Sequence, residues 1–271
     1  MSGSTRDRLL RLVRRNDADL AEAALLVAAE ASPSLDVAAG LLRLDALADQ
    51  LTTTGFRATG DAAADGRELA ARLHAAGFRG HAPGERVPED ALLDRVLDRR
   101  VGLPITLSIV YVALARRLDV PAFPIALPGH VVVGVGERPA VLDPFHGGLE
   151  LDEGAVADRV RQMTDGRLAF RRAMLRPAPA VNVVRRLLNN LTRDYTDRDR
   201  LREALWTVEV KQLLPNRLPD DHRVRGRLLD QLGRFDEAAA AFEDYLDAVG
   251  PDAPDRDEVQ RAAIRSRARL N

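Results

Sequence analysis

His130 and Asp143 are the two residues of this chain best placed to act together chemically. Each sits at the end of a stretch that reads as a β-strand, and one hairpin separates them. Adjacent antiparallel strands can bring the imidazole and the carboxylate into contact. A carboxylate that orients a histidine is the base half of a nucleophilic triad. The same spacing also fits a buried histidine with a hydrogen-bond partner and an aspartate that caps a turn. Two hydroxyls, Thr106 and Ser108, lie upstream in a strongly apolar segment. A serine or threonine nucleophile needs a placed base and an oxyanion hole, and no Gly-x-Ser-x-Gly elbow surrounds either one. A bond back to a helical carbonyl is the plainer role for both.

His146 adds a possible third metal ligand to His130 and Asp143. The spacing fits no strong metal motif, and His74, His81 and His222 are scattered along the chain. The expectation is therefore no metal and no cofactor. Gly147-Gly148 reads as a turn, because no Lys-Ser/Thr follows it to hold a phosphate. No RNA- or DNA-binding motif is present.

Composition narrows the classes further. The chain has 271 residues, 40 basic against 41 acidic, so net charge gives no drive toward nucleic acid or an anionic membrane. There are no cysteines, which removes disulfides, thiolate metal sites and a cysteine nucleophile. A single lysine, Lys211, stands against 39 arginines, a bias that codon usage in a GC-rich genome explains better than nucleic-acid recognition. The start, MSGSTRDR, has no apolar h-region, and the charge-free stretches near 101–115 and 120–136 suit no membrane span. A soluble cytoplasmic protein is expected.

The elements that must position these residues follow from periodicity. Residues 5–50 read as helices, with breaks at Asn16-Asp17 and Ser32-Pro33-Ser34. Residues 52–66 read as a loop and 67–76 as a helix. Glu89 to Arg100 forms a short helix, and Pro104 opens another that runs to about Leu118 and is apolar nearly all round, hence buried. Ala122–Leu127, His130–Val135 and Ala140–Asp143 read as strands of a small antiparallel sheet packed on that helix. The last third returns to helix. Residues 159–176 carry six arginines, most simply a solvated face, and Pro177-Ala178-Pro179 reads as a linker.

Beyond it, helices are expected near 180–195, 199–214, 220–232 and 235–249. Leu201-Arg202-Glu203-Ala204 returns as Phe235-Asp236-Glu237-Ala238, 34 residues later, Val208 returns as Phe242 and Lys211 as Tyr245. That is the period of the tetratricopeptide repeat, a helix pair that buries its face by stacking on a neighbour.

The run DRVLDRRVGLPITLSIVYVALARRLDVPA, then LPGHVVVGV, then VLDPFHGG, resembles the transglutaminase-like bacterial family named after the SirB regulator. The resemblance covers most of residues 90–150, is less sharp over 35–50 and 180–260, and does not extend to 52–88. It implies a helical N-terminal region, a transglutaminase-like core and C-terminal tetratricopeptide repeats. The wider superfamily uses a Cys-His-Asp triad whose cysteine opens a buried helix. The resemblance places His130 on the family histidine and Asp143 on the aspartate. Counting back from Pro121 puts the cysteine position on Pro104, and a slip of register presents Thr106 or, one step further, Ser108.

The expected fold is α+β. Residues 1–176 would form a transglutaminase-like domain with a helical N-terminal region and a small antiparallel sheet, and 177–271 a tetratricopeptide-like helical domain. The resemblance implies a non-catalytic descendant of a thiol enzyme, acting as a protein-interaction or regulatory module on a protein or peptide partner. Arg186, Asn189, Asn190 and Arg193 share a helical spacing on the first repeat helix and are candidates to line its groove. The competing expectation is a hydrolase or acyltransferase that uses Thr106 or Ser108 with His130 and Asp143. A third is a pocket that keeps His130 and Asp143 for recognition.

Overall fold

The structure is a computed structural model that describes residues 4–269. The chain divides into two compact units, Met1–Leu187 and Leu188–Asn271.

The first unit opens with four helices, α1 (Thr5–Leu12), α2 (Leu20–Ala31), α3 (Val37–Thr53) and α4 (Ala62–Ala75). Each starts on a polar cap, Ser4, Asp19, Asp36 or Asp61, whose side chain accepts from the N–H groups of the first turn. The sequence predicts a loop over 52–66, but α4 begins at Ala62. Asp61 accepts from Ala63 and Ala64 N–H at 3.1 Å. Asp65, one turn in, is buried and accepts from the Thr59 N–H and hydroxyl and the Gly60 N–H. An aspartate that reads as loop polarity thus locks the entry to a helix.

Next come β1 (Arg79–Gly80), a 3₁₀ turn at Pro88–Ala91, α5 (Leu93–Arg99) and β2 (Val101–Gly102). The two short strands pair in parallel, Arg79 with Val101 and Gly80 with Gly102. Helix α6 (Pro104–Arg117) carries Pro104 at its first position, where a missing N–H costs little. It is buried nearly all round, from Ile105 through Tyr111 to Ala115.

Four strands complete the site's scaffold: β3 (Ala122–Leu127), β4 (His130–Val135), β5 (Ala140–Asp143) and β6 (Leu149–Leu151), antiparallel in that order. Every residue of β4 is buried, between its two neighbour strands. Helix α7 (Glu153–Met163) lays Val156 and Val160 on a core with Ile125, Leu127, Val132, Val141 and Leu151. The helix ends at Met163 rather than running on toward Arg176. Asp165 and Gly166 both take positive φ, 50° and 74°, which the helix cannot continue through. The expected linker at 177–179 is anchored: Ala178 N–H donates to the Pro124 carbonyl of β3 at 2.9 Å.

The boundary between the units falls inside α8 (Ala180–Thr196). The second unit continues with α9 (Leu201–Leu213), α10 (Pro219–Gln231), α11 (Phe235–Ala248) and α12 (Arg256–Ala268). The 34-residue period is visible atom by atom. Asp199 and Gly233 both take positive φ before their helices. Arg200 pairs with Glu203 at 3.0 Å and Arg234 with Glu237 at 2.7 Å. Buried Lys211 pairs with Asp221 at 3.6 Å, and its equivalent Tyr245 donates to Asp255, the equivalent of Asp221. α12 was not expected from the sequence. Its buried face is sparse, Val259, Ala263 and Ser266.

Candidate functional site

The β4–β5 register sets the site. Val133 faces Leu142, and one step further along the ladder Asp143 comes level with Val132. His130, two residues from Val132, then shares its face with Asp143 as a diagonal neighbour, within reach of an imidazole. Asp143 ends β5 and caps the 3₁₀ turn Pro144–His146 that follows: Phe145 N–H donates to its Oδ1 at 3.1 Å. Its Oδ2 faces three nitrogens, His130 Nε2 at 2.9 Å, His146 Nδ1 at 2.8 Å and Arg159 Nη1 at 3.2 Å. The carboxylate is sealed from solvent at 0% exposure.

Burial alone raises the Asp143 pKa, but the hydrogen bonds and positive character of His130 and His146 outweigh it and hold the carboxyl below its ordinary value. With Nε2 held by Asp143, the other ring nitrogen of His130 is Nδ1. It has no protein partner among the described residues.

The surroundings are rich in imidazole. The Phe145 ring meets His130, His81 and His146 edge-on, with centroids 6.1, 5.3 and 5.0 Å away. His74 packs against Gly147. Four of the five histidines, scattered in sequence, therefore gather around one turn. Gly80 makes room for this: a Cβ there would stand 2.6 Å from the Phe145 ring.

Thr106 and Ser108 serve elsewhere. Thr106 is the third residue of α6. Its Oγ1 accepts the Leu103 N–H at 2.9 Å and lies 2.7 Å from the Asp90 carbonyl and 3.1 Å from that of Leu103. This half of a capping box ties the start of α6 to the 3₁₀ turn before α5. Ser108 is fully buried and donates to the Val131 carbonyl of β4 at 3.4 Å. Its hydrogen bond goes to the main chain next to His130 rather than to the imidazole. Pro104 opens the helix and offers neither a hydroxyl nor an N–H.

The four groove candidates separate. Arg186 is turned inward and donates to the Leu127 carbonyl, and burial pushes its guanidinium below its ordinary pKa. Asn189 accepts from Lys211 at 3.0 Å. Asn190 is half-buried, and Arg193 is exposed beside Asp194 at 3.8 Å. Sequence reasoning missed Arg159. It sits in the basic stretch, whose other ion pairs are solvated: Arg161 with Asp158, Arg167 with Asp165 and Arg172 with Glu153. The helical phase shared with Val156 and Val160 is the one signal that turns Arg159 toward the sheet.

Residues 39–189 match the transglutaminase-like superfamily, and residues 191–265 match a tetratricopeptide repeat. A UPF0162 protein of Xylella fastidiosa (strain Temecula1 / ATCC 700964) is 34% identical over 176 residues. That alignment covers 63% of this chain and 62% of the relative, so the chain spans less than two thirds of that relative's length. A UPF0162 protein of Pseudomonas aeruginosa is 32% identical over 215 residues, 79% of this chain and 78% of the relative. No solved structure matches the chain. Among the described residues no helix is long and apolar enough to cross a membrane. A transglutaminase-like match over more than half of the chain, joined to the Pseudomonas alignment, establishes that this chain belongs to the transglutaminase-like UPF0162 family, the SirB-type group.

Proposed function

We propose that this protein is a non-catalytic transglutaminase-like protein that works as a protein-interaction or regulatory module. The observation that supports the reading most is the use of the α6 hydroxyls. The chain has no cysteine, and both Thr106 and Ser108 are engaged with main-chain carbonyls in the interior. An acyl-transfer triad lacks its attacking atom, while the histidine and aspartate remain a hydrogen-bonded pair. The tetratricopeptide unit supplies the other half of the reading, because stacked helix pairs present a side-chain surface to a peptide or protein. On this view the partner is a protein, it docks on the helices after Leu188, and Arg193 and Asn190 belong to the contacted surface. Nucleic acid is not its ligand.

The test is site-specific photo-cross-linking in the full chain, inside its bacterial host. A photoreactive residue replaces Arg193 on the repeat unit or Leu149 on the edge strand β6, both exposed. The expected result is one discrete protein adduct from position 193 and none from 149. Adducts only from 149, or only nucleic-acid adducts from either, would overturn the assignment.

A further inference from the structure

We propose that His130, Asp143 and His146 form a binding site for one divalent transition ion of the Zn(II) class. Each residue contributes one ligand atom, and these atoms all lie within 4.8 Å of one another. Two imidazole nitrogens and one carboxylate oxygen suit a borderline ion, whereas Ca(II) and Mg(II) prefer all-oxygen sets. Three protein ligands leave a fourth position to water.

The adjustment needed is small. The two nitrogens now stand 2.9 and 2.8 Å from Asp143 Oδ2, as hydrogen-bond partners. Ligands placed about 2.05 Å from a tetrahedral ion are about 3.3 Å apart, so each pair opens by about 0.5 Å. His146 can supply its share of that movement. It sits at the end of a three-residue turn, and its side chain is 46% exposed. His130 and Asp143 stand on adjacent strands, so their pair opens by a small rotation of the side chains, and the proton on His130 Nε2 moves to Nδ1. The ion enters on the His146 side, where the cluster meets solvent.

Arg159 is the competitor. Its Nη1 lies 3.2 Å from the same Oδ2 and 3.4 Å from His146 Nδ1, so a guanidinium now supplies the positive charge that an ion would bring. The two cations cannot share the oxygen at contact distance. Ion binding therefore releases Arg159, which can swing outward because its side chain is already partly exposed. The site becomes an exchange between an internal cation on α7 and an external one. His81 and His74 sit close by but outside the converging set.

This inference does not depend on the interaction reading: cross-linking from Arg193 can succeed or fail whatever the ion does. The test is titration of the tag-free full chain with Zn(II) by calorimetry, and with Co(II) by visible absorption. The expected result is one ion per chain, with Co(II) bands of a four-coordinate site. His146→Ala is expected to weaken binding by about 100-fold, as loss of one of three protein ligands should. Arg159→Ala, which removes the competitor, is expected to tighten it by about 10-fold. His81→Ala and His222→Ala leave it unchanged. His146→Gln, which keeps the turn polar, repeats the loss if His146→Ala folds poorly, and circular dichroism checks both. No stoichiometric binding, equal affinity in wild type and the His146 variants, or a loss shared equally by His81→Ala and His222→Ala would overturn the site.

Discussion

The β4–β5 hairpin and the first turns of α6 are the two parts from which a thiol-type triad is assembled, and here they use their polar groups in opposite ways. On the hairpin, three nitrogens converge from a strand, a turn and a helix on one oxygen of Asp143. On α6, the hydroxyls reach main-chain carbonyls, Thr106 at the Asp90 turn and Ser108 at Val131. The first arrangement gathers side-chain chemistry at an edge that His146 opens to solvent. The second spends it on holding elements together. One fold thus holds a histidine–carboxylate pair at one edge while the nearby hydroxyls of α6 tie elements together in the core.

The comparison breaks first at Asp143. Asp143→Ala leaves His130 and Arg159 facing an empty space in the interior. It is expected to cost about 3–5 kcal/mol in urea unfolding, the range for breaking a buried charge pair. A loss under about 1 kcal/mol would mean that the convergence carries no energy.

Acid sharpens the same point. The Asp143 pKa in the folded protein lies below its ordinary 3.8. Its stabilising contribution is therefore full above that ordinary value and is lost as pH falls through the lower, folded-state value. Unfolding curves across the acid range should show Asp143→Asn with a flatter acid limb than wild type. Parallel limbs would contradict the sign.

On the α6 side the effects are smaller. Thr106→Val keeps the shape and removes the hydroxyl with its bonds at Leu103 and Asp90, while the Leu103 N–H keeps the Asp90 carbonyl at 3.0 Å, so the expected cost is about 1–1.5 kcal/mol. Ser108→Ala removes one long hydrogen bond and is expected to cost under about 1 kcal/mol. A larger loss for Ser108→Ala than for Thr106→Val would reverse the assignment of which hydroxyl does the tying.

Much of the scaffold was legible in the chain itself. The strands Ala122–Leu127, His130–Val135 and Ala140–Asp143 fall where their apolar runs and Pro-Gly or Gly-Glu-Arg-Pro punctuation put them. The 34-residue echo led directly to the matched turns and ion pairs of the repeat unit. His130 and Asp143 could be paired because one hairpin links them. Arg159 could not, since it reaches Asp143 from a helix beyond β6, and local sequence shows only a basic stretch. The histidine cluster escaped for a similar reason. His74, His81, His130 and His146 come from α4, the end of β1, β4 and a turn, and only the sheet brings them together. β1 and β2, two residues each, are too short to carry a periodic signal.

The proposal tested most directly is that no side chain of this chain attacks an acyl group. Intact-mass spectrometry of the full chain after exposure to a fluorophosphonate, and separately to an acyl thioester, measures it directly. The account predicts an unchanged mass and thioester hydrolysis no faster than in buffer. A single adduct on Ser108 or Thr106 that disappears in His130→Ala would contradict the proposal.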